Sequence, residues 1–151
     1  MENKYYTYFF GIGKVYFSLF GLWVLGFGIA ELIIGIAGKN LTWGVLEISG
    51  GFLLWRGFIL FFAGLFYLSS VKNLAEIHQL AKVVMASIMI WIMAGMKIFS
   101  MIAESIPGGE GGGWINTWEG FLSTYSPPYT PALILLPFSL VTIYYIYARK
   151  K

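Results

Sequence analysis

Cysteine and aspartate are both absent from this chain of 151 residues, and histidine occurs once, at His78. Without cysteine there can be no disulfide, no thiol nucleophile and no thiolate metal site. One histidine gives too few ligands for a histidine-based metal or haem centre within one subunit, although a symmetric oligomer could pool copies. No metal or haem is therefore expected. Charge is scarce too: acidic and basic residues together make up 11% of the chain, against about 25% in ordinary soluble domains. The formal net charge of +3 lies at the ends of apolar runs. It bears on membrane orientation, and no nucleic-acid partner is expected.

Apolar residues fill the chain instead, at 58% hydrophobic and 19% aromatic with a mean hydropathy of +0.75. A water-soluble core cannot absorb that much apolar surface. Spanning helices need roughly 20 residues each, and four apolar runs meet that requirement, at about 15–37, 44–68, 80–102 and 131–148. The expected fold is an all-α integral membrane four-helix bundle in a lipid bilayer. The connection after the first run is so short that the first two helices must form an antiparallel hairpin. Asn73 with Glu76 three residues later reads as an N-cap and partial capping box, which starts the third helix near Leu74.

Pro107-Gly108-Gly109 closes that helix and opens a long loop, 103–130. In the loop a Gly-rich tract, 108–113, precedes Trp114, Trp118, Phe121 and Leu122 at helical spacing. That stripe fits a short helix lying at the membrane interface, or equally a packed loop with buried Trp residues. Pro137 should kink the last span. The first span is too long for a cleavable signal, lacks a small-residue cleavage site and carries Glu31, so no signal peptide is expected.

Orientation follows from Lys and Arg near the span ends. Lys4, Lys14, Lys72, Lys82, Arg149, Lys150 and Lys151 fall on one side, against Lys39 on the other and Lys97 inside the outer end of the third span. A cell-membrane protein with both termini cytoplasmic is expected, with the long loop and its Glu104, Glu110 and Glu119 facing outward.

Two glycine series, Gly21, Gly28, Gly35 and Gly50, Gly57, Gly64, recur every seven residues, as close helix packing in lipid requires. Ionisable groups within the expected spans are Glu31, Glu47, Arg56 and Lys97. Each costs a few kcal/mol in lipid unless paired or hydrated. Two readings stay open. One is an internal ion-pair network that fixes the packing. The other is an outward polar cavity in which Arg56 and Lys97 bind an anion or a quinone carbonyl, and Glu31 and Glu47 act as catalytic proton carriers. His78 reads as a solvated surface residue, and Tyr5, Tyr6, Tyr8, Tyr144, Tyr145 and Tyr147 as interface anchors. No phosphate loop or catalytic triad spacing is present.

The stretch Gly44-Val45-Leu46-Glu47-Ile48-Ser49-Gly50-Gly51-Phe52-Leu53-Leu54-Trp55-Arg56-Gly57 resembles the G-x-L-E-x-x-G-G-x-L-L-x-x-G helix of the DoxX/DoxD-like four-helix membrane family. Gly28-Ile29-Ala30-Glu31-Leu32 looks like that family's first helix, which commonly closes with Gly-x-x-Lys-Leu; here Glu31 takes the lysine position and reverses its charge. The resemblance implies a membrane subunit associated with redox enzymes. DoxD-type members belong to thiosulfate:quinone oxidoreductase, so quinone as cofactor, thiosulfate as electron donor and a partner subunit are expectations of the resemblance. The alternatives are a non-catalytic scaffold subunit of a larger complex and a small anion or solute transporter, with a homo-oligomer as another form of association.

Overall fold

Glycine and proline set where the apolar helices stop. The computed structural model describes residues 2–106 and 118–149, with side chains from Tyr8 to Ile106 and from Leu122 to Arg149. Helix α1 (Glu2–Ile36) ends in a Schellman turn. Gly38 sits at φ +61°, the Lys39 N–H donates to the Ile34 carbonyl at 3.1 Å, and the Gly38 N–H donates to the Gly35 carbonyl at 3.2 Å.

The chain then forms an antiparallel hairpin, β1 (Leu41–Trp43) and β2 (Leu46–Ile48), with Thr42 opposite Glu47. Gly44 at φ +59° leads its two-residue turn, the position where such turns place glycine. A helix beginning at Gly44 was the expectation, and the structure corrects it: Gly44 and Gly50, the latter at φ +111°, hold conformations an α-helix cannot contain. Thr42 and Ile48 are β-branched and suit the pleated strands. Backbone bonds from Glu47 N–H to the Tyr129 carbonyl at 2.8 Å and from Tyr129 N–H to the Val45 carbonyl at 2.7 Å tie the hairpin to the segment before the last span.

Helix α2 (Leu53–Ser70) follows, extended by a single 3-10 turn over Val71–Asn73. Helix α3 (Ile77–Ser105) starts later than the sequence implied. Glu76 occupies its N-cap position, and Asn73 Nδ2 donates to Glu76 Oε1 at 2.6 Å. The two residues do meet, but across the 3-10 turn and not as a capping box. Helix α4 (Trp118–Tyr125) packs against α3 within the long loop. The Gly-rich tract, Glu110 and Trp114 lie outside the described residues, as do the side chains of Trp118, Glu119 and Phe121.

The last span is two helices, α5 (Pro131–Ser139) and α6 (Val141–Arg149). Pro137 cannot donate a backbone bond and crowds the preceding turn, so the ladder breaks just beyond it at Leu140. Side-chain donors bond to carbonyls beside the break, which suits a polar backbone surrounded by lipid. The Tyr16 hydroxyl donates to the Phe138 carbonyl at 2.7 Å. Ser139 Oγ donates to the Leu136 carbonyl at 2.6 Å and accepts from Trp91 Nε1 at 2.7 Å.

Among the described residues, Tyr8–Ile36, Leu53–Asn73, Ile77–Ser105 and Pro131–Arg149 are long and apolar enough to cross a membrane. The shortest has 19 residues, about 28 Å of rise, which matches a hydrocarbon layer of about 30 Å. The chain is a multi-pass, all-α membrane bundle, and the Phe9 end of α1 meets the Tyr145 end of α6 at one end of it.

Helices α1 and α2 meet backbone to backbone. A Cβ on Gly28 would touch the Phe61 nitrogen and lie 2.8 Å from Phe61 Cα; one on Gly64 would lie 2.6 Å from the Leu25 nitrogen; one on Gly57 would lie 2.9 Å from the Leu32 nitrogen. Gly21 and Gly35 face the Tyr67 and Leu54 side chains. Gly50 has no such role: it lies in the turn before α2 with nothing within 4 Å of its Cβ position.

Phe17, Val24, Leu60, Tyr67, Val83 and Ile90 form the buried centre of the bundle. Across it runs a polar chain in which Tyr67 Oη and Ser87 Oγ are 2.6 Å apart and Ser87 Oγ and Thr142 Oγ1 are 2.7 Å apart. It joins α2, α3 and α6. Ser87→Ala should cost about 1 kcal/mol, because it leaves two buried hydroxyls short of a partner. Unfolding in detergent checks this, and undiminished stability would mean the chain adds nothing to packing. Tyr145 also differs from its expected anchoring role. It is buried, stacks on Phe9 at 4.5 Å and covers Gly13, so it closes the terminal end of the bundle.

Candidate functional site

The glycine seam decides the fate of the charges beside it. Because Gly28 and Gly57 let the backbones touch, Glu31 on α1 and Arg56 on α2 come within reach of each other. Arg56 Nε donates to Glu31 Oε1 at 2.6 Å, with the Glu31 side chain fully buried and that of Arg56 13% exposed. It is the one ion pair among the described residues. Glu31 Oε2 and Arg56 Nη2 are buried with no hydrogen-bond partner there. The pair is therefore held by one charge-assisted bond and by the packing around it.

The other two candidates lie apart from this pair. Glu47 belongs to β2, outside the helical spans, and accepts a hydrogen bond from Ser49 Oγ. Lys97 lies on α3, half-buried, without an ion pair to a described residue. The structure thus brings Glu31 and Arg56 together and records no bond from either to Glu47 or Lys97. His78 is exposed at the start of α3.

A different feature has the form of a ligand site. Tyr16, Leu19, Phe20 and Trp23 form one stripe of α1, and Phe138 of α5 closes a groove beside them with a volume of about 320 Å³. That is the lower end of the roughly 300–1,000 Å³ common for small-molecule pockets. Tyr16 stacks on Phe20 at 5.9 Å, and Phe20 lies 6.3 Å from Phe138. Trp23 is 63% exposed, on the lipid-facing side of a spanning helix. The spacing Tyr16, Leu19, Phe20, Trp23 is a readable helical stripe, but its opposite wall comes from Phe138, far away in the sequence.

What the groove offers chemically is flat apolar surface with few polar atoms. The Tyr16 hydroxyl is engaged by the Phe138 carbonyl, and the Trp23 indole N–H donates to no described residue. A planar, lipid-soluble ring bearing a carbonyl fits this set: the aromatic walls take its faces and Trp23 supplies a donor. Among the described residues no three His, Asp or Glu side chains gather as a metal site. No protein-family model, curated protein or solved structure matches the chain.

Proposed function

We propose that the chain is the membrane subunit of a quinone-linked oxidoreductase, with the quinone ring held in the groove of Tyr16, Leu19, Phe20, Trp23 and Phe138. The observation that carries the reading is this aromatic groove, set within the spans and facing lipid, where a lipid-soluble acceptor arrives. The quinone supplies electron-accepting chemistry when bound. The chain's own residues orient its ring and, through Trp23, one carbonyl. Electrons come from a partner subunit, since this chain has no cysteine for a cluster. Thiosulfate is the proposed donor, on the resemblance of Gly44–Gly57 to the DoxX/DoxD helix, with the difference that residues 44–52 precede α2 here. Termini in the cytoplasm of a cell-membrane protein are part of the same reading, supported by the seven Lys and Arg residues on the terminal side.

Titration of the chain in lipid nanodiscs with a short-tailed quinone tests the proposal. Saturable binding is expected, and Trp23→Ala should weaken it by roughly tenfold through lost stacking and a lost donor. An unchanged affinity in that variant removes the groove from the reading, and no saturable binding by the wild type overturns it.

One observation favours a second reading, a non-catalytic scaffold. Glu31 and Arg56 pair with each other inside the helix seam and form no bond to Glu47 or Lys97, as a device for packing would. A transporter is less well supported, because the glycine contacts leave no passage between α1 and α2.

A further inference from the structure

Beyond the break at Leu140, the last span packs differently on α3. Helix α5 packs along α3 much more extensively than α6 does. Between α3 and α6 there opens a groove of about 560 Å³, whose walls include Ile77, Ala81, Val84 and Met85 on α3 and Ile146 and Arg149 on α6. The α3 residues share one helix face, and all are apolar. The groove's one charged residue, Arg149, sits in the last turn of α6 where the span ends. Arg149 makes no ion pair with a described residue. Glu76, next to Ile77 in sequence, accepts instead from Asn73.

We infer that this groove holds one anionic phospholipid of the leaflet on the terminal side, an acyl chain lying along the Ile77–Met85 face and the headgroup phosphate on the Arg149 guanidinium. Charge complementarity selects the occupant. An apolar trough within a spanning helix pair takes a hydrocarbon chain from the bilayer itself. A guanidinium at its mouth, with five donors in a planar fork, matches phosphate oxygens. A zwitterionic headgroup brings its own cation to that mouth and loses most of the gain. A single basic side chain at the surface favours the anionic lipid by roughly fivefold. The inference needs only the membrane location of the bundle and is independent of quinone binding.

Native mass spectrometry of the full chain, released from mixed phosphatidylglycerol and phosphatidylcholine of matched acyl chains, tests it. The wild type should retain one phosphatidylglycerol with about fivefold preference. Arg149→Gln should keep a bound lipid and lose the preference, Ala81→Trp should fill the trough and lose the lipid, and Lys82→Gln should change neither. Preference surviving in Arg149→Gln, or vanishing in Lys82→Gln, would show that surface charge in general selects the lipid and would overturn the assignment. So would lipid retained by Ala81→Trp, or a dimer of the wild type that this substitution dissolves.

Discussion

Gly28→Leu is expected to prevent the α1–α2 hairpin from closing, and even Gly28→Ala should lower stability by about 2–3 kcal/mol. The reason is geometric. The added Cβ meets the Phe61 nitrogen and lies 2.8 Å from Phe61 Cα. Both are backbone atoms of a helix, so no rotamer change relieves the clash and the two helices must separate. Separation costs more in lipid than in water, because close van der Waals contact is the main force holding helices together there. It would also pull Glu31 away from Arg56. Gly26, two residues earlier, has nothing within 4 Å of its Cβ position, and Gly26→Ala should be neutral or slightly stabilising. Unfolding of both variants in mixed micelles decides the matter: equal stability of Gly28→Ala and Gly26→Ala would mean the seam is not tight.

Arg56→Met should be the most damaging single substitution among the polar residues, at about 3–5 kcal/mol, because it leaves the buried Glu31 carboxylate with no counter-charge. Glu31 makes its one hydrogen bond to Arg56, so nothing else compensates. Replacing both partners, Glu31→Met with Arg56→Met, should restore most of the loss, since two apolar side chains incur no desolvation penalty. Recovery would identify the pair as a packing device, one that fixes the register of α1 on α2. A double variant as unstable as the single one would mean that the cavity left behind, and not the charge, sets the cost.

The sequence carried the spans because lipid imposes one simple rule, a long apolar helix, and four runs obey it. It also carried most of the seam, since small residues at seven-residue spacing on two adjacent helices suit close packing in lipid better than a ligand-facing role. What it hid depends on local conformation or distant chain. Residues 44–52 are apolar enough to pass as the start of a span, and only the positive φ of Gly44 and Gly50 separates turn and hairpin from helix. Gly50 shared the spacing of Gly57 and Gly64 but not their setting. Tyr145 read as an interface anchor because it clusters with Tyr144 and Tyr147 at a span end, yet helical phase turns it inward and leaves those two exposed. Of the four charged candidates, Glu31 and Arg56 were brought together by the seam, whereas Glu47 falls in the hairpin, outside the spanning helices. The groove was half legible, as a stripe on α1, and its other wall comes from Phe138 on a helix distant in sequence.

The most direct test is quinone titration of the Glu31→Met, Arg56→Met double variant beside the wild type in the same nanodiscs. With the charge pair as a packing device and the ring in the Tyr16–Trp23 groove, both proteins should bind quinone with affinities within about twofold. A folded double variant that no longer binds quinone would contradict this and return the chemistry to the buried charges.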